Sequence, residues 1–241
     1  MKLYDECFDG IKKLLSDYEV CELDITENGW QDAGGNQLVF QNDTAFELGG
    51  GDLPAVSTMA LTDNTELVPC DKVLLCGKDL DKIGSDTPFA RIALLRVKED
   101  SLGDGNALYQ SIRKIEYTRY HVNPKGYMIR ISPFNHRESA RVSKQAVSDG
   151  ISFASVGKLF IDSYHKHSGV EAAEIIFITA PDFPYGELKK VMQRSEDITK
   201  ALDHLMKNIK MDCQICSLKA VCEEVEELCN ETKNNKSEVK V

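Results

Sequence analysis

The feature that most constrains the fold is an alternation. From Asn106 to Met206, stretches with helical periodicity alternate with short aliphatic runs, the purest being Ile175-Ile176-Phe177-Ile178. Such runs suit buried strands of about 4–8 residues and fall far short of the roughly 20 needed to span a bilayer. Alternating strands and amphipathic helices predict a mixed α/β chain of the α+β class.

The periodicity predicts helices over Asp5 to Leu15, Asn106 to Tyr120, Arg137 to Ser148, Ser152 to His167 and Gly186 to Met206. The third should stop at Gly150, as helices end in a left-handed glycine, and the last is long enough to be broken. Strands are expected at Gln37 to Gln41, Ala55 to Leu61, Lys72 to Cys76, Ala90 to Val97, Tyr127 to Ser132 and Ala173 to Thr179. The first four, separated by turn formers such as Gly49-Gly50-Gly51, should share a sheet. No repeat of fixed period argues for a solenoid or propeller.

Charge and composition narrow the function. Lys and Arg number 29 against 39 Asp and Glu, so 29 − 39 = −10, which disfavours a phosphate-neutralising surface for nucleic acid. The start, Met1-Lys2-Leu3-Tyr4-Asp5-Glu6-Cys7, has no apolar signal core, so a cytoplasmic protein without a membrane anchor is expected. In a reducing compartment the eight cysteines are thiols or metal ligands rather than disulfides.

Four of those cysteines fall within seventeen residues, as Cys213-x2-Cys216-x5-Cys222-x6-Cys229. A Cys-x-x-Cys turn can present two thiolates to one metal, and a helix from Lys219 would align Cys222 with Cys229. Thiolates suit zinc or an iron–sulfur cluster, and the donor set does not choose between them. Buried structural thiols are the bland alternative.

A basic island stands against the acidic background. Ser111 to Lys144 holds eight cations and two carboxylates, 8 − 2 = +6. Arg137, Arg141 and Lys144 have the spacing of one helix face, and with Arg113 they form a candidate site for a phosphate-bearing ligand such as coenzyme A. Pairing with the surplus acids is the structural alternative. Gly49-Gly50-Gly51 lacks P-loop chemistry, His165 and His167 read as solvated residues near a helix end, and Trp30 reads as core.

Several segments in order resemble the beta subunit of the CO dehydrogenase/acetyl-CoA synthase complex, in its middle domain and the start of its A-cluster domain. Asn42 to Leu48 is similar to that family's Asn-x-Thr-x-Ala-Phe-Glu-Leu segment, one residue shorter. Val73 to Ile83 resembles its strand ending in Gly-Pro-Asp-x-Asp-x-Ile, and Arg113-Lys114-Ile115 its Arg-Arg-Ile helix. Ala140 to Val147 is similar to its Arg-Val-Ser-Lys-x-Ala, with Gly150 to Phe153 and Val156 to Lys158 at matching distances. Ile176 to Thr179 resembles its Thr-Ile-Phe-Thr strand, and Cys213 to Cys216 falls where the family opens its nickel–iron–sulfur A-cluster.

The resemblance implies an acetyl-CoA synthase middle-domain-like fold over 1–208, a cysteine-rich helical metal segment over 209–230 and a disordered tail over 231–241. Cys213, Cys216, Cys222 and Cys229 would then hold a [4Fe-4S] cluster, with Cys216 the ligand that bridges to nickel. Spacers after Cys216 and Cys222 are shorter than in the family, and its Cys-Gly-Cys distal-nickel motif has no counterpart here. Implied partners are CO dehydrogenase or a corrinoid iron–sulfur protein. The implied role is an accessory or partial subunit of anaerobic acetyl-CoA metabolism. A non-enzymatic docking module and a zinc-stabilised domain are the alternatives.

Overall fold

A computed structural model describes residues 2–26, 29–98, 101–102, 105–132, 137–206 and 216–226. Its elements are α1 (Asp5–Leu15), β1 (Val20–Leu23), β2 (Thr44–Leu48), β3 (Ala55–Thr62), β4 (Lys72–Cys76), β5 (Phe89–Val97) and α2 (Gly105–Tyr117). There follow β6 (Tyr127–Ser132), β7 (Arg137–Ser143), α3 (Lys144–Ser148), α4 (Phe153–Tyr164), β8 (Val170–Ile178), α5 (Tyr185–Met206) and α6 over 219–226. The chain is a mixed α+β protein with two sheets.

The larger sheet has the order β1-β4-β8-β5-β3. β4 runs parallel to β8 and β3 to β5, whereas β5 and β8 pair antiparallel at the centre. Nearly every side chain of β5 and β8 is buried, which is why their sequences are almost continuous aliphatic runs. α4 packs across β4 and β8 through Gly157, where a Cβ would sit 2.5 Å from a Val73 methyl and 3.2 Å from Phe177. Ser152 starts α4 with a capping box shared with Ser155. α5, unbroken over 22 residues, lies along β3 and against α1 and α2.

The smaller sheet is antiparallel in the order β2-β7-β6. Here the predicted helix over Arg137 to Ser148 is corrected. Arg137–Ser143 is a strand that buries Glu138, Ala140 and Val142 on alternate positions, and only Lys144–Ser148 is helical. Ser143 makes the switch, its extended backbone ending β7 while its hydroxyl accepts from Ala146 N. Gly150 ends this turn with φ +86°, as expected.

A second correction concerns Gln37 to Gln41, which forms no strand. It is held by side chains instead of a ladder: Arg141 Nη1 donates to Val39 O at 2.9 Å, and the Gln37 amide donates to Pro124 O and accepts from Gly126 N. Val39 is buried while Leu38 and Phe40 are exposed. β3, β4 and β5 do share a sheet, and β1, a short strand at its edge, joins them. No described helix is long and apolar enough to cross a membrane.

Candidate functional site

The cysteine segment is built around α6. Lys219 N donates to Cys216 O at 3.2 Å and Cys222 N to Leu218 O at 2.8 Å, so Cys216 sits in the turn that leads into α6 and Cys222 in the first turn of the helix. Val225 is fully buried, Cys222 packs against the core, and Glu224 pairs with Arg194 of α5 at 2.6 Å. Arg194 also reaches Glu6 of α1 at 2.9 Å, so one guanidinium ties α1, α5 and α6 together.

Cys216 and Cys222 are half-buried, which leaves sulfur near both core and solvent. Cys213 and Cys229 lie outside the described residues, as do 231–241 of the expected tail. Among the described residues no three His, Cys, Asp or Glu side chains group as a metal site. Two soft donors match thiophilic metal in chemistry but not in number, so a centre here requires Cys213 and Cys229.

The remaining cysteines divide by environment. Burial pushes the Cys7 and Cys76 thiols up to about 11, which keeps them protonated and poor ligands at neutral pH. Cys21 and Cys70 are exposed and far apart in sequence.

The structure places the four basic residues expected to form one site on three elements, Arg137 and Arg141 on β7, Lys144 on α3 and Arg113 on α2, each with partners of its own. Arg141 donates through Nε and Nη2 to Glu47 Oε1 at 2.8 and 2.6 Å, across the register pair that joins β2 to β7. Lys144 Nζ donates to Asn42 O at 2.8 Å, and Arg137 Nη2 to the carbonyls of Gly49, Gly51 and Leu53. These three cations therefore clamp the chain between Val39 and Leu53. Arg113, on α2, pairs instead with Glu116 at 2.7 Å. The common helix face expected of Arg137, Arg141 and Lys144 is absent because the first two sit on β7, whose period of two also aligns residues four apart.

No protein-family model matches this chain, and no curated protein matches it significantly.

A buried charge cluster that no sequence motif marks joins the two sheets. Arg91, on the central strand β5, is 1% exposed and forms a forked pair with Glu138 of β7, 3% exposed. Nε and Nη2 reach Glu138 Oε1 at 2.8 and 2.6 Å, and Nη2 reaches Oε2 at 2.7 Å and Ser57 Oγ at 3.1 Å. The guanidinium lies 4.1 Å from the ring centre of Phe160 on α4. Burial works against its charge, but the Glu138 carboxylate more than compensates and holds the Arg91 pKa above its ordinary value. Tyr127 and Tyr164 are buried beside the pair, and burial raises both phenols. The pair bolts the smaller sheet to the larger.

A lone Arg in an aliphatic run was the available signal: Phe89-Ala90-Arg91-Ile92-Ala93-Leu94. A charge at the centre of a buried strand requires a buried partner. Nothing in sequence pointed to Glu138, which lies 47 residues away. Of the two histidines expected to be solvated, His165 is exposed and its Nε2 meets Asp71 at 2.9 Å, whereas His167 is half-buried with Nε2 2.6 Å from Thr118 Oγ1. Trp30, expected in the core, is half-buried at its edge and donates from its indole N–H to Lys125 O.

Proposed function

We propose that the chain is a stand-alone homologue of the CO dehydrogenase/acetyl-CoA synthase beta subunit, middle-domain-like in fold, that carries a cysteine-ligated [4Fe-4S] cluster. Its role is that of an accessory or partial subunit in anaerobic one-carbon metabolism. The observation that carries this reading is the anchoring of Cys222 on α6 and of Cys216 in the turn that leads into it, with buried Val225 and the Arg194–Glu224 pair holding the helix to the body of the protein. A segment held in that way keeps two half-buried thiols close in sequence at one end of a folded domain, and Cys213 stands three residues before Cys216 in the sequence. The ordered collinear motifs from Asn42 to Cys216 support the family named in this reading. A bound cluster would supply one-electron chemistry, or a site for nickel next to Cys216.

A docking module for a corrinoid or redox partner is the second reading. It is favoured by the internal commitment of Arg137, Arg141 and Lys144, which reduces the cation surface open to a coenzyme A phosphate. The first experiment is iron, sulfide, nickel and zinc analysis of protein purified without oxygen, with visible and paramagnetic resonance spectra. Near-stoichiometric iron and sulfide, lost in Cys216→Ser, is expected. Zinc in their place would make the segment a structural zinc site, and metal-free protein would leave the docking reading.

A further inference from the structure

A second feature lies away from the cysteines, in a cleft of about 420 Å³ between the end of α2, strand β6 and the turn at Gly34-Gly35-Asn36. Its size suits a small molecule. One wall is a fan of rings: Tyr117 stands 5.2 Å from Tyr120 and 4.6 Å from His121 between centroids. Tyr117 is 58% exposed and Tyr120 37%, among the most exposed large apolar side chains described. The floor is Ile129 and Ile131, half-buried on β6, a strand at the edge of its sheet.

The charge in this cleft is cationic. In a chain of net charge −10, none of the described residues that line it is acidic, while Arg119 does line it. Arg119 is 11% exposed, and its Nη2 donates to Tyr120 Oη at 2.9 Å and meets Glu116 at 3.5 Å. Its Nε is buried, and no described group accepts from it. Arg119 also walls a water-sized cavity of about 20 Å³ next to Ser57 and Thr199, so it stands between the interior and the cleft. His121 Nδ1 lies 3.1 Å from Tyr117 O, a carbonyl that can only accept, which makes Nδ1 the donor and leaves Nε2 as the second polar atom on this wall.

We propose that this cleft binds a planar aromatic carboxylate. The exposed face of Tyr117, set among rings tilted 43° and 53° to it, and the isoleucine floor suit a flat apolar body, and the part of the Arg119 guanidinium that Tyr120 and Glu116 leave open suits one carboxylate oxygen. A phosphate dianion fits poorly. Among the described residues Arg119 is the one arginine of the lining, and a dianion needs more donors than it has open, since Tyr120 holds part of its fork and Glu116 lies within 3.5 Å.

The test is calorimetric titration of the full chain with indole-3-carboxylate, indole, acetate and inorganic phosphate. Indole-3-carboxylate should bind saturably at sub-millimolar to millimolar concentration, at least about tenfold tighter than any of the other three. Tyr117→Ala, at an exposed position, should weaken it about tenfold, and Ile131→Asp, which places a carboxylate on the floor, should abolish it. Arg119→Gln should lower affinity for indole-3-carboxylate to that for indole, with circular dichroism checking that the fold survives. Absence of saturable binding, equal affinity for indole, tighter binding of phosphate, or wild-type affinity in Tyr117→Ala and Ile131→Asp would each overturn the proposal.

Discussion

Two arginine–glutamate arrangements hold this protein together in opposite surroundings. Arg91 and Glu138 meet in the interior with 1% and 3% of their side chains exposed. Glu47 receives Arg141 and Arg130 on the face of the smaller sheet, where the three are 17%, 20% and 47% exposed. The contact distances are alike, 2.6 to 2.9 Å. What differs is the dielectric. At the surface, water competes for each charge and a lost partner is replaced by solvent. In the core, solvent cannot replace it, so the pair confers sheet-to-sheet specificity at a desolvation cost and makes either single loss severe.

The sharpest way to break the contrast is Glu138→Leu. It strands the Arg91 guanidinium in the core and should destabilise the fold by about 3–5 kcal/mol in urea unfolding. The double variant Arg91→Met/Glu138→Leu should recover most of that, because two apolar side chains of similar volume need no counter-charge. A single variant as stable as wild type would show that the pair does not form.

Gly157→Ala probes the helix that lays Phe160 over Arg91. The new methyl meets two Val73 methyls at 2.5 and 2.8 Å, and a β-branched residue in a sheet cannot swing aside. A loss of about 1–3 kcal/mol is expected, with the midpoint falling at constant slope.

Glu47→Gln tests the half-buried, solvent-reached arrangement and should cost about 1 kcal/mol, well below Glu138→Leu, with a difference from wild type that shrinks as salt is raised. A loss as large as that of Glu138→Leu, unaffected by salt, would erase the distinction between the two.

The smallest effect is in pH. Burial, then the nearby Lys114 charge, lowers the His167 pKa below its ordinary 6.5. A group with a depressed folded pKa binds more protons when unfolded, so stability should fall as pH drops below about 6.5 and level off below the folded pKa. His167→Asn should flatten that part of the profile in thermal melts recorded across pH 5–7, and an unchanged slope would place the dependence elsewhere.

Legibility in the sequence followed the locality of the interactions. Asp5–Leu15, Lys72–Cys76 and Tyr127–Ser132 were readable to the residue, since periodicity and flanking turn formers are local signals. Arg137–Ser143 was not, because arginines four apart share a face in a helix and in a strand alike, and only pairing with β2 and β6 settles which is built. Thr44–Leu48 escaped for a related reason: its ladder partner lies nearly one hundred residues on, at Val142 and Arg141. The cysteine spacing was visible at once, yet the seat that α1 and α5 make for α6 was not.

The sequence alone determined the class of fold, most element positions, the absence of a long apolar span among the described helices and the clustering of four thiols. These follow from patterns a few residues long. Tertiary structure decided what the charges do. It turned Arg137, Arg141 and Lys144 into clamps on the segment from Val39 to Leu53, buried Arg91 against Glu138, and gathered Tyr117, Arg119 and His121 over Ile131 as a cleft. A charge takes its role from the partner and dielectric around it, and folding brings both from distant parts of the chain.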